Sequence, residues 1–244
     1  NLALENLPLE AVAERADYVF CCLPHGASAA AASQLLPLGK KVIDLSADYR
    51  LSDPAEYAKW YGLEHADPEN LKDAVYGLPE LYRDEIRTAS LVANPGCYPT
   101  SAILALAPLL EAGQIAAEGI IVDSKSGVSG GGREPKPQFH FPECNESIAA
   151  YGVGTHRHMP EIDQILSDAA GQRVEVIFTP HLVPMDRGIL STCYAVPTGE
   201  TSTEALLSLY REFYAGEPFV RVLSGLPATK HVSGTNFCDL TARV

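Results

Sequence analysis

Chemistry is concentrated first in ANPGCYPT (93–100), where a single cysteine, Cys97, lies between an Asn-Pro-Gly turn and the apolar run TSAILALAPLL. Asn94 can cap a helix, Pro95 suits a first helical turn, and Gly96 allows close backbone approach. Cys97 is therefore expected at or just before a helix N-terminus. There, backbone N–H groups and the helix dipole favour the thiolate relative to a reference pKa of about 8.5, which is what a nucleophilic sulfur needs. The same spacing also suits a small buried residue at a turn, so a nucleophile has to be argued from its partners.

The second concentration is HRHMPEI (156–162), in which His156 and His158 flank Arg157 and Glu161 follows three residues after His158. Pro160-Glu161 reads as the opening of a helix and puts both histidines on the loop that enters it. One imidazole could take the Cys97 proton and return it, with Glu161 fixing its orientation. The alternative is a polar surface loop. HxH without a third ligand at helical spacing, and without HExxH, gives no metal site. Arg50 in IDLSADYRL and Arg187 in PMDRGIL are candidates for holding a carboxylate or phosphate through paired hydrogen bonds, although either alone also reads as an ordinary surface charge. The stretch SKSGVSGGGR (124–133) can offer backbone N–H groups, but it is neither GxGxxG nor a P-loop.

These residues need elements to hold them. Residues 9–16 read as a short helix, DYVFCCLP as a continuous apolar strand of the kind buried in a parallel sheet, HGASAAAASQLLPLG as a helix closed by Gly39, and KVIDLS as the next strand. That is a βαβ unit. Residues 47–87 read as loops and short helices, with VYGLPEL turn-rich, and SLVAN as a strand ending at Asn94. The apolar helix after Cys97 is expected to end or kink at Pro108. Beyond it IIVDS, VEVIFTPHLV and LSTCYAV read as strands, and TSTEALLSLYREFYAG as an amphipathic helix. The change of pattern sets a domain boundary near residue 94.

Composition excludes several classes of partner. The chain has 244 residues, 46% of them hydrophobic and 20% charged, enough for a sizeable core. A net charge of −13 without a basic tract argues against nucleic acid and anionic membranes. No apolar run reaches the roughly 18 residues of a membrane span, and NLALENLPLE lacks the order of a secretory signal. Six cysteines without CxxC spacing fit reduced thiols in a cytoplasmic protein.

Taken in order, ANPGCYPT, SGVSGGGR, NESIAAYGV followed by HRHMPEI, and FTPHLVPMDRGIL resemble the N-acetyl-γ-glutamyl-phosphate reductase family. The resemblance implies an NADP(H)-dependent oxidoreductase of arginine biosynthesis. It converts N-acetyl-γ-glutamyl phosphate, an anionic small molecule, to N-acetylglutamate 5-semialdehyde and phosphate through a thioester on Cys97. His158 comes first and His156 second as acid/base, with Glu161 behind them. Asn94 and Arg50 are placed at the phosphate by the distant likeness to aspartate-semialdehyde dehydrogenases, with Arg187 and Tyr151 near the substrate. Leu23, Pro24 and His25 lie where a dinucleotide passes the carboxyl end of a parallel sheet, and Ser126 and Gly127 fall near the nicotinamide.

The expected architecture is α/β: a Rossmann-like nucleotide-binding half, 1–94, followed by an α+β catalytic and oligomerisation domain with a mixed sheet, 95–244, with the site between them. The half is incomplete, because the family's first strand with its GxxGxxG-type loop is not seen ahead of Asn1, nor its terminal helix after Val244. A homo-oligomer is implied on family grounds. The rival readings are an aspartate-semialdehyde dehydrogenase, a cysteine hydrolase in which water resolves the thioester, and a non-catalytic fragment that serves in assembly.

Overall fold

The alanine-rich stretch after the first strand packs closely because its side chains are small. In the computed structural model, which describes residues 3–244, β1 (Tyr18–Cys21), α2 (Ala27–Leu35) and β2 (Lys41–Asp44) form the βαβ unit, preceded by α1 (Leu9–Arg15). Asn1 and Leu2, which open the sequence-delimited nucleotide-binding half, lie outside the described residues. Strands β1 and β2 run parallel, Tyr18 opposite Lys41. After α2 the chain tightens into a 3₁₀ turn, Leu36–Leu38, and leaves it through Gly39 at φ 73°, a left-handed position that glycine adopts without strain.

There follow α3 (Pro54–Tyr61), α4 (Pro68–Leu71), β3 (Val75–Tyr76), α5 (Pro79–Thr88) and β4 (Leu91–Ala93), giving an all-parallel sheet of order β1-β2-β4-β3. Its core joins Ala29, Ala32 and Leu35 of α2 to Cys21, Val42, Leu91 and Ala93 of the strands. One expectation is corrected. DYVFCCLP is not buried on both faces, for Tyr18 and Phe20 are exposed while Cys21 is buried. The alternation along β1 shows that one face is covered and the other is not.

The chain divides into two compact units, Asn1–Gly96 and Cys97–Val244. The second begins with α6 (Cys97–Glu111) and continues through β5 (Ile121–Gly127), α7 (Phe141–Cys144), β6 (Ala149–Ala150), α8 (Met159–Ala170), β7 (Ile177–Val183), β8 (Ile189–Tyr194), α9 (Thr203–Phe213), β9 (Val220–Val222), α10 (Thr229–Val232) and β10 (Cys238–Leu240). Its main sheet is mixed, order β6-β7-β5-β8, with β5 parallel to β7 and antiparallel to β8. Strands β9 and β10 form a separate parallel pair.

Val122, Ser124 and Ser126 of β5 point to the buried side of the mixed sheet, where α6 is tied to it by hydroxyls. Ser191 of β8 meets Ser101 of α6 and Ser124 of β5, each at 2.7 Å. The opposite face carries Ile121, Ile177, Leu190 and Tyr194, all exposed. Among them Asp123 lies 2.8 Å from Lys125 Nζ and 3.1 Å from His181 Nδ1.

Of the end or kink expected of α6 at Pro108, the end is not found, for the helix runs on to Glu111. A proline inside a helix leaves the carbonyl four residues earlier without its donor. Here that carbonyl is Leu104 O, and the Tyr214 hydroxyl donates to it at 2.7 Å. The Tyr210 hydroxyl of α9 donates to the neighbouring Ala105 O. Two tyrosines thus supply side-chain donors where the proline removes a backbone one. Helix α9 is itself started by Ser202, whose hydroxyl accepts from Ala205 N.

Candidate active site

Cys97 is the first residue of α6 and is exposed. Its helix is apolar nearly all round and anchored as described, so the sulfur is presented by a rigid element at the positive end of its dipole. The Asn94 side-chain amide donates to Pro95 O and its backbone N–H to Asp44 O, and Pro95 and Gly96 lead from it into the helix.

Within the second unit the histidines lie where the sequence places them, His158 being the N-cap residue of α8 and Pro160 in its first turn. His156 is enclosed by aromatic edges: Tyr98 at 5.5 Å, Tyr151 at 5.5 Å, Phe178 at 5.3 Å and His158 at 4.8 Å between ring centroids. Its Nδ1 accepts the backbone N–H of His158 at 3.1 Å. Burial, with Arg157 beside it, pushes His156 down to about 4. It is a neutral imidazole whose proton sits on Nε2. Glu161, in the first turn of α8, is 1% exposed.

Tyr98 and Tyr151 meet hydroxyl to hydroxyl at 2.8 Å. Burial first, then this contact, raises Tyr151, while burial dominates the rise of Tyr98; a Cys97 thiolate adds to both. The sulfur is therefore within electrostatic reach of the pair. Tyr98 was not singled out from sequence, although its place next to Cys97 and its need for a buried hydroxyl partner were available signals.

Arg187 is exposed on the loop between β7 and β8 and stands 3.4 Å from Asp186. That loop is stitched to the glycine-rich turn after β5: Gly127 N donates to Gly188 O, Val128 N to Met185 O and Ser129 N to Asp186 O. A Cβ on Gly127 would stand 2.5 Å from Asp186 O, which explains glycine there. A depression of about 290 Å³ lies beside the loop, lined by Met185, Asp186, Arg187, Thr229, Lys230 and Ser233. Ser126 and Gly127, expected near the nicotinamide, are both buried.

In the first unit Arg50 is 9% exposed. Its Nε donates to Asn94 O at 2.7 Å and its Nη2 to Leu45 O at 3.1 Å, so it binds the carboxyl ends of β4 and β2 together. The turn Leu23-Pro24-His25 leads into α2. The amides of Gly26 and Ala29 there are taken by the buried carboxylate of Asp48, at 2.9 Å each. Tyr57 also donates to Asp48, at 2.7 Å. This helix end therefore faces a fixed negative charge rather than an open anion site. Leu23 and Leu45, at the carboxyl ends of β1 and β2, are exposed apolar side chains that suit an aromatic ring of a dinucleotide.

Comparison with known proteins agrees with this architecture. A model for the semialdehyde dehydrogenase NAD binding domain matches residues 1–89, and one for the semialdehyde dehydrogenase dimerisation domain matches residues 97–244. Fold and matches together define the class, a NAD(P)-binding unit with a parallel sheet followed by a dimerisation domain with a mixed sheet. Aspartate semialdehyde dehydrogenase II from Vibrio cholerae shares the fold, with a TM-score of 0.67 at 15% identity over 91% of this chain and 67% of that one. The N-acetyl-γ-glutamyl-phosphate reductase of Rhodopirellula baltica is 54% identical over 100% of this chain and 72% of its own length. That of Geotalea daltonii is 58% identical over 98% and 70%. The chain belongs to the semialdehyde dehydrogenase family, among the N-acetyl-γ-glutamyl-phosphate reductases.

Proposed function

We propose that the chain performs the reductive dephosphorylation of N-acetyl-γ-glutamyl phosphate to N-acetylglutamate 5-semialdehyde, with Cys97 as nucleophile. The observation that carries this is an exposed cysteine at the first position of a rigid helix, electrostatically linked to a tyrosine pair that touches two histidines. The thiol gives its proton to an imidazole, and the thiolate attacks the acyl carbon. The C–O bond to phosphate breaks, phosphate leaves with the electron pair, and a thioester remains. NADPH, when bound, supplies the hydride that reduces this thioester, after which the C–S bond breaks and sulfur regains its electrons.

His158 is assigned as the acid/base. His156 is unsuited to it, because Nδ1 already accepts an amide and its depressed pKa keeps it a neutral Nε2–H donor. Glu161 is the buried carboxylate on the helix that His158 caps. Arg187, with Lys230 beside it, offers positive charge to the substrate's carboxylate, and Tyr151 lines the same unit's site. Arg50 supplies a fixed positive charge beside Asn94 that favours phosphate. Leu23 and His25 would hold the dinucleotide by side-chain contact, since Asp48 occupies the amides at the start of α2.

Phosphate-dependent NADP reduction with N-acetylglutamate semialdehyde tests the reading. Activity in the wild type and loss of at least about 10³-fold in Cys97→Ser is expected. Turnover without nicotinamide would instead identify a hydrolase.

We infer further that the homo-oligomer forms through the exposed apolar face of the mixed sheet, supported by its place in the matched dimerisation domain. The biosynthetic reading sets the protein in the cytoplasm. Among the described residues no helix is long and apolar enough to cross a membrane.

A further inference from the structure

We propose that Tyr98, the residue after the nucleophile, is a positioning residue for the histidine pair, acting through a hydroxyl chain Tyr151–Tyr98–Ser126 and through its ring edge. The proposal rests on the reading of Cys97 and His158 given above.

Tyr98 is 2% exposed, and a buried phenol is retained at low cost only where its oxygen is paired. That oxygen meets the Tyr151 hydroxyl at 2.8 Å and is hydrogen-bonded to the Ser126 side chain. The three residues come from separate places: the first turn of α6, the end of β5 and the residue after β6. Through them Tyr98 joins the helix of the nucleophile to the strand ends that flank the histidine loop.

The ring completes the arrangement. It stands edge-on to His156, at 5.5 Å and 84°, and to His158, at 5.9 Å and 69°. Phe178 closes the far side, 5.3 Å from both Tyr98 and His156. His156 cannot turn within this box without displacing Tyr98 or losing the His158 amide from its Nδ1. The backbone N–H of His158 holds the His156 ring through that bond, and the His158 ring packs against it at 4.8 Å, so a fixed His156 limits where the His158 ring can stand. Tyr98 takes no proton in the reaction: burial holds its hydroxyl protonated. Its part is to hold the imidazoles in place.

Tyr98→Phe keeps the ring and removes the hydroxyl. In the folded variant we expect kcat to fall about tenfold, KM to change less than about twofold, and the pH profile of kcat to move. Tyr151→Phe breaks the same bond from the other side, so the double variant should be no worse than either single one. It also serves if Tyr98→Phe does not fold. The histidine ring resonances, followed by NMR across pH 3–9, should shift in both single variants. Unchanged kcat, pH profile and histidine resonances in a folded variant would overturn the proposal, as would additive losses. Should the wild type show no reductase activity, the functional reading fails, while the histidine resonances still decide whether Tyr98 positions the pair.

Discussion

Asp163 and His156 are pushed in opposite ways by the same cause, burial. Asp163, whose Oδ1 accepts the amide of Val176, is raised to about 6, and His156 is lowered to about 4. For the aspartate the folded state binds the proton more tightly than the unfolded chain. Stability is then lost as pH rises through the window from about 4 to about 6. For the histidine the unfolded chain binds the proton more tightly, so stability present above about 6.5 is lost as pH falls towards 4. Asp163→Asn keeps the acceptor and removes the charge. It should raise stability at pH 7.5 by on the order of 1–2 kcal/mol and give no gain at pH 4, read from denaturant melts at both values. A variant equal to wild type at pH 7.5 would show the aspartate charge to be relieved in the fold. The place of His156, His158 and Glu161 at a helix entry was legible from HRHMPEI, since a proline after two histidines marks such an entry. What separates the two imidazoles was not. It depends on which nitrogen accepts an amide and on rings that include Tyr98 and Phe178 from other segments.

At the scale of elements, α6 shows where local pattern stops informing. Its apolar character and its start near Cys97 follow from sequence, and so did the expectation that Pro108 would end or kink it. The outcome was decided by Tyr214 and Tyr210, about a hundred positions away, which no window along α6 contains. Tyr214→Phe should destabilise the second unit by about 1–2 kcal/mol, because it leaves Leu104 O in a buried helix without that donor. Calorimetry together with amide exchange around residues 104–110 would show it, and unchanged protection would mean that the helix tolerates the open carbonyl. Strand β1 makes the same point differently. Its composition matched a strand buried on both faces, yet burial depends on what packs on each face, and here only one is covered, so Tyr18 and Phe20 are exposed. The two-residue strands β3 and β6 are too short for periodicity to reveal.

For the molecule as a whole, the parallel and mixed sheets were readable because each unit keeps its own pattern. Assembly was implied only by resemblance. The surface proposed for it is one that register creates, setting Ile121, Ile177 and Tyr194 side by side on one face. Ile177→Glu puts a charge in the middle of that patch without touching the core. It should convert the oligomer to a smaller species in sedimentation equilibrium while leaving the circular dichroism spectrum unchanged. An unchanged mass would place the contact elsewhere.

The bond from Tyr214 to Leu104 spans 110 residues, and a ribosome makes about 5–20 residues per second. Helix α6 therefore waits roughly 5–20 s after its own synthesis before its last donor arrives. During that interval its proline turn stays open to water and to proteases, and chains stalled short of residue 214 should be clipped there more readily than finished ones.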